Sequence, residues 1–410
     1  MKNILVAQSG GPTSAINATL AGVVQMAQIS SEIDCIYGSV NGIKGILQEN
    51  LINITQSFPD TMMVEKLAHT PSAALGSCRL KLKNFQEEES QYQQIIEIFQ
   101  KYNIGIFVYI GGNDSMDTVA KLSAYCSKNG LSDRIKVIGA PKTIDNDLVL
   151  TDHCPGFGSA AKYIATTFSE LDRDISVYQN GGVLIVEVMG RNAGWLTAAS
   201  ALSRINGGNG PDLIYLCEVP FHSEKFLEDT KQVLEERGRV IVAVSEGVKN
   251  EDGQYLSELA EQKEEDAFGH AYIAGAGRVL ENLVREKIGC KVRSVELNLM
   301  QRCAAHILSA TDIQESRMLG MKAVQCGLEG HTGRMVAIER MSSAPYRIRF
   351  TSVDVCEVAN AEKKVPLEWI HPEGNDVKAP IMEYLLPLIQ GEETAMYHKG
   401  TPEYFIFSYA

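Results

Sequence analysis

The run YNIGIFVYIGGNDSMDTVAKLSAYC, Tyr102 to Cys126, decides how the chain is read. Ile104 to Ile110 is an unbroken apolar stretch, as suits a strand buried on both faces. It breaks into Gly111 and Gly112, an amide and an acid, and a helix follows. Strand, glycine turn and helix together form the repeating unit of a helix-covered parallel sheet. Asn113 and Asp114 stand where a phosphate-gripping loop should be neutral or basic. Asp114 or Ser115 is also suited to cap the helix that follows.

Working outward, the same unit recurs. NILVAQSGGPTSAINATLAGVVQMA predicts a strand at Asn3–Ala7, a turn at Ser9–Thr13 and an amphipathic helix. RIKVIGAPKTIDND carries a strand at Val137–Gly139; GGVLIVEVMGRNAGWLTAASAL and RVIVAVSEGV repeat the theme. Alternating buried strands and helices predict an α/β protein with mainly parallel sheets, in two Rossmann-like three-layer domains of similar size around one cleft. Such sheets bind ligands beyond the carboxyl ends of their strands, where the polar segments gather here. An acidic stretch from about Val248 to Ala267 reads as a solvated surface excursion. The tail from about Ser342 reads as irregular, with PLEWIHPEGNDVKAP a long loop before a final helix.

The 410 residues can bury a large core, and composition is ordinary for a globular chain: 45% hydrophobic, 22% charged. The net charge of −13, from 38 basic and 51 acidic residues, disfavours a general nucleic-acid or membrane-surface binder. It leaves room for an anionic small substrate, since screening limits the negative background to roughly 10 Å. No apolar run approaches a membrane span, and the N-terminus reads as a strand rather than a signal peptide. Nine scattered cysteines without a C-x-x-C pair suit a reduced, cytoplasmic protein.

The turns carry the chemistry. Gly10 and Gly11 let backbone N–H groups approach an anion at a helix start. GAPKTIDNDL places Lys142, Thr143, Asp145 and Asp147 together after a strand. In an extended loop the acids at i and i+2 point the same way, with Asn146 turned aside. One can take a proton from an alcohol while the other organises a magnesium ion. Lys142 is a compact charge for a phosphate. Arg191 in VMGRNAG suits phosphate or sugar oxygens, and Glu246 in AVSEG can accept from sugar hydroxyls. VRSVELNLMQRCAAH adds Arg293 and Arg302.

In order, GGPTSAIN, GGNDS, PKTIDND, MGR and LMQR resemble the phosphofructokinase family, specifically its pyrophosphate-dependent branch, over about Ile4 to Ala310. The resemblance implies transfer of a phosphoryl group from pyrophosphate to the 1-hydroxyl of fructose 6-phosphate. It implies Asp145 as general base, supported by Asp147 and Lys142, with Thr143, Met189, Gly190, Arg191, Glu246, Arg293 and Arg302 at the sugar phosphate. Arg302 would grip the 6-phosphate. Donor contacts would come from Gly10, Gly11, Arg79, Gly112, Asp114 and Lys142. Magnesium would sit at Asp145 and Asp147, with Asn113 at the position where the family usually carries an acid. Asp114 replaces the glycine of the ATP-using branch, so bulk and charge there would exclude the nucleotide. The implied domains are 1–143 plus about 300–350 for the donor, and 144–299 plus part of the C-terminal tail for the sugar, in a homodimer or homotetramer. Two alternatives stay open: an ATP-dependent 6-phosphofructokinase, and a non-catalytic sugar-phosphate-binding regulatory subunit.

Overall fold

The computed structural model describes residues 1–179, 181–259 and 275–407. The chain opens with β1 (Lys2–Gln8), α1 (Ile16–Ile29), β2 (Ile33–Ser39), α2 (Gly42–Leu47), β3 (Leu51–Asn53), α3 (Thr61–Ala68) and α4 (Glu89–Lys101). Next come β4 (Ile104–Gly111), α5 (Asn113–Lys128), β5 (Lys136–Pro141) and α6 (Phe157–Ser176). A second series runs β6 (Gly182–Val188), α7 (Trp195–Ala199), β7 (Leu213–Tyr215), α8 (Ser223–Arg237), β8 (Arg239–Ser245), α9 (Ala276–Lys287) and β9 (Val292–Glu296). The last part holds α10 (Met300–Cys303), β10 (Leu308–Ser309), α11 (Ala310–Leu328), β11 (Arg334–Ser343), β12 (Tyr346–Asp354) and α12 (Ala379–Leu385).

Two main sheets hold all of these strands except β10, which pairs antiparallel with Glu392–Glu393. The first has the order β12-β11-β5-β4-β1-β2-β3, and the second β7-β8-β6-β9. The continuous apolar runs are central strands because both faces are covered. On one face Ile4, Val6, Ile106 and Val108 pack with α1 and α11; on the other Leu5, Phe107 and Tyr109 pack with α4 and α5. α1 and α11 meet closely through two glycines. A Cβ on Gly22 would lie 1.9 Å from the Arg317 carbonyl oxygen, and one on Gly320 would lie 2.0 Å from that of Thr19. In the second sheet Val186, Val188 and Ala243 face α6, α7 and α12, while Val183, Ile185 and Val242 face α8 and α9.

The sheets are unequal, with seven strands against four. Both are mainly parallel, as expected: in the first, β2–β3 and β11–β12 pair antiparallel and the other neighbours pair parallel, and the second is parallel throughout. One expectation is corrected. The chain past Ser342 is not irregular at once: β12 continues to Asp354 as a hairpin with β11. Its residues YRIRFTSVD alternate in character because this edge strand is only partly buried, a weaker signal than a continuous apolar run. PLEWIHPEGNDVKAP does form a loop, holding one 3-10 turn at Leu367–Trp369 and a bridge between Ile370 and Val377, before α12. Within the acidic stretch, a bridge joins Lys249 to Tyr255 and a 3-10 turn covers Leu256–Leu259. The rest of that stretch lies outside the described residues. Among the described residues no helix is long and apolar enough to cross a membrane.

Candidate active site

The glycine turn after β1 makes a cationic corner. Gly10 has φ 77, a conformation glycine adopts freely. Its amide donates to the Cys78 carbonyl at 3.2 Å, and its carbonyl accepts from the Ser77 hydroxyl at 2.6 Å. Lys142 leaves β5 with its amide donating to the Gly111 carbonyl at 2.9 Å, and its Nζ donates to the Gly11 carbonyl at 2.6 Å. A Cβ on Gly10 would stand 3.2 Å from that Nζ, and one on Gly11 3.4 Å from Nη1 of Arg302. Gly10 thus suits the turn by its φ, and both glycines lie close to a cation.

The acid turn follows directly. The Asp145 amide donates to Oγ1 of Thr143 at 3.1 Å. Asn146 has φ 55, so this is a left-handed turn rather than the extended loop expected from the spacing. The acids still share one environment. Burial pushes Asp145 up to about 7, with the charges of Asp147 and Glu246 adding to it and Lys142 and Arg302 opposing. Burial also raises Asp147; its own amide and Thr143 pull it down, while Glu362 adds to the rise. Asp147 Oδ1 is buried and has no hydrogen-bond partner. Burial lowers Lys142 to about 8, with Arg302 contributing and the two acids resisting.

Loops at the strand ends of the second sheet meet this corner, with the charge of Glu246 acting on Asp145. The Gly190 amide donates to Glu246 Oε1 at 3.3 Å, and the Ser245 hydroxyl to the Gly190 carbonyl at 2.6 Å. The Met189 amide donates to Oε1 of Gln301, at 3.2 Å, tying this loop to the helix that carries Arg302. The Arg302 guanidinium stands beside Gly11, and its charge is felt by Lys142 and Asp145.

Other expected residues stand apart. Gly112 is the N-cap of α5 and no side chain caps that helix, so neither Asp114 nor Ser115 is a cap. Asp114 instead points outward and pairs with Lys81 at 2.7 Å, both side chains mostly exposed. Asn113 Oδ1 accepts from the Asn360 amide at 2.7 Å and its Nδ2 donates to the Ala361 carbonyl at 2.9 Å. Both ends of the amide are therefore already bonded. Arg79 and Arg191 are exposed on loops with no side-chain partner among the described residues. Arg293 is the second residue of β9 and exposed; its register partner is Leu184, upstream of the strand end where the loops gather. No group of three or more metal-ligating side chains is preassembled among the described residues. Gln301, Lys81 and the segment around Lys363 were missed. Gln301 lies within LMQR, but the others carry no local motif and are visible only through long-range contacts.

Known proteins resemble this chain in sequence and fold. A family model described as Phosphofructokinase covers residues 3–327. A pyrophosphate–fructose 6-phosphate 1-phosphotransferase of Methylococcus capsulatus is 40% identical, covering 98% of this chain and 95% of that protein. A protein of the same name from Halomonas elongata is 38% identical, with the same coverage of 98% and 95%. The crystal structure of a pyrophosphate-dependent phosphofructokinase from Marinobacter aquaeolei superposes with a TM-score of 0.87 at 38% identity, over 98% of this chain and 95% of that one.

Proposed function

The chain belongs to the phosphofructokinase family, and from that premise we propose that it transfers a phosphoryl group from pyrophosphate to the 1-hydroxyl of fructose 6-phosphate. The products are fructose 1,6-bisphosphate and phosphate. The observation that carries the chemistry is a buried carboxyl, Asp145, on the turn that follows Lys142, whose ammonium is held at the glycine turn where Arg302 also stands.

Asp145 takes the proton of the 1-hydroxyl; a base near the working pH combines ionisation with proton affinity. The freed oxygen attacks one phosphorus of pyrophosphate, the bridging P–O bond breaks, and phosphate leaves with the bond's electrons. Catalysis of this transfer is positioning and charge neutralisation. Lys142 neutralises the transferring group, with the Gly10–Gly11 turn, Gly112, Asp114 and Arg79 on the donor side. Thr143, Met189, Gly190, Arg191, Glu246, Arg293 and Arg302 hold the sugar phosphate, Arg302 at its 6-phosphate.

The donor set fits magnesium: hard oxygen ligands, with the unpartnered Asp147 Oδ1 beside Asp145. Bound there, the ion would neutralise charge on the donor's oxygens. Asn113 is a weaker ligand here, because its oxygen already accepts a bond. We assign donor binding to 1–143 plus about 300–350, and sugar binding to 144–299 with part of the tail. A homodimer or homotetramer in the cytoplasm completes the proposal.

An aldolase-coupled assay with purified protein tests this reading. Bisphosphate formation with pyrophosphate and magnesium, much faster than with ATP, is the expected outcome. Sugar-phosphate binding without turnover on either donor would select the regulatory-subunit alternative.

A further inference from the structure

After β12 the chain leaves the core beneath the first sheet at Val358 and enters that of the second at Val365. The residues between, and Val365 itself, bond to the chain that follows β4, β5, β6 and β7. Asn360 and Ala361 hold both ends of Asn113, after the donor turn. Glu362 Oε1 accepts from Asn192 at 2.7 Å, in the loop after β6. The Lys363 carbonyl accepts from Nε1 of Trp195 at 3.1 Å. The Val365 amide donates to Glu218 Oε1 at 3.0 Å, an oxygen that also takes the Gly194 amide at 2.8 Å.

Lys363 makes the closest connection to the reacting groups. Its amide donates to the Asp147 carbonyl at 2.7 Å. Its Nζ donates to Asn146 Oδ1 at 3.2 Å, to the Thr151 carbonyl at 3.2 Å and to that of Asp152 at 2.7 Å. All three ammonium protons are thereby used. Asn146 is the left-handed centre of the acid turn, and its side chain is further held by the Cys154 amide at 3.1 Å and the Tyr384 hydroxyl at 2.9 Å. A left-handed non-glycine residue persists only where its surroundings over-determine it. Here that support fixes the direction of Asp145 on one side and Asp147 on the other.

We propose that Asn360–Val365 is a strap that sets the spacing between donor turn, acid turn and sugar loop, and that Lys363 is the positioning residue which holds the acid turn in its reactive geometry. The strap lies downstream of the motifs that carry the family likeness, and the inference rests on the phosphoryl-transfer reading above. A misplacement of about 1 Å at a reacting group can cost on the order of 10²-fold in rate, without a matching loss of binding.

The test is steady-state kinetics with pyrophosphate and fructose 6-phosphate on wild type, Lys363→Met, Lys363→Arg, Asn146→Gly and the Met/Gly double variant. Thermal unfolding and the fraction of active sites are measured alongside. Wild type is read first: no turnover defeats the functional reading, whereas an active wild type leaves the variants to decide this inference alone. In Lys363→Met kcat should fall about 10- to 100-fold, with either KM moving less than about threefold. Lys363→Arg, which keeps the charge and the donors, should recover part of the loss. Asn146→Gly can keep φ near 55 but loses the anchor, so it should show the same kcat-specific fall. The double variant should fall by less than the two single losses combined, since both singles already lose the Lys363–Asn146 bond that they share. Wild-type kcat per active site in Lys363→Met, or a fall that merely follows the folded fraction, overturns the proposal. So does additivity in the double variant. If Lys363→Met fails to fold, wild-type kcat in Asn146→Gly overturns it.

Discussion

The acid turn makes a quantitative prediction about pH. Asp145 stands at about 7 against an ordinary 3.8, a difference worth roughly 4 kcal/mol between its protonation states. Only its ionised form can take the proton of the sugar hydroxyl. At pH 6 about a tenth of the free enzyme carries that form, so kcat/KM should fall about tenfold per unit below pH 7. Above about 8, Lys142 loses its charge and the rate should fall again. The profile should therefore be a bell whose flanks belong to the coupled acid and lysine group rather than to one residue each. Substrate phosphates titrate near 6 as well, so Asp145→Asn supplies the control. That variant should lose about 10²- to 10⁴-fold in kcat, and any acid limb surviving in it belongs to the ligands. A wild-type acid limb near 4, or an Asp145→Asn variant with near-normal turnover, would refute the assignment of the base.

The same shift has a sign for stability. A raised carboxyl penalises the folded state from above its unfolded value of 3.8 and fully beyond about 7, so Asp145→Asn should raise Tm at pH 8 and leave it little changed near pH 4. His153 behaves oppositely. It is buried between Asp152, at 2.8 Å, and Glu315, at 2.5 Å, and these acids push it up to about 9 against its own burial. Its contribution, roughly 3 kcal/mol, is fully present below about 6.5 and disappears as pH rises through about 9; in denaturant titrations wild type and His153→Gln should therefore differ most below about 6.5, with the gap closing between about 6.5 and 9. Asp114→Gly should cost little stability, because the exposed pair with Lys81 is worth about 0–1 kcal/mol, yet shift the ATP-to-pyrophosphate ratio of kcat/KM toward ATP. An unchanged ratio would mean that this carboxylate excludes nothing.

What the sequence disclosed, and what it withheld, follows from locality. The central strands were legible because burial on both faces leaves continuous apolar runs, as in Ile104–Ile110. The Gly10–Gly11 turn, Lys142 and Asp145 were legible because each motif sits within a few residues of a strand end. β12 was not, since an edge strand keeps only alternate residues apolar. The left-handed Asn146 was hidden because its conformation is imposed by Lys363, Cys154 and Tyr384, the first and last more than two hundred residues downstream. Asp114 looked like a cap from sequence, yet it turns toward Lys81, a partner on another loop. Arg302 was read as a 6-phosphate contact, and only the packing of two sheets brings it against Gly11.

The central claim is that pyrophosphate, not ATP, gives its phosphoryl group to the sugar. Phosphorus NMR of the purified protein with magnesium, pyrophosphate and fructose 6-phosphate measures this directly. The pyrophosphate signal should decay with one-for-one growth of phosphate and of a second sugar-phosphate signal at the 1-position, while ATP in its place leaves the sugar almost unchanged. Faster transfer from ATP, or phosphate released from pyrophosphate without new sugar phosphate, would contradict it.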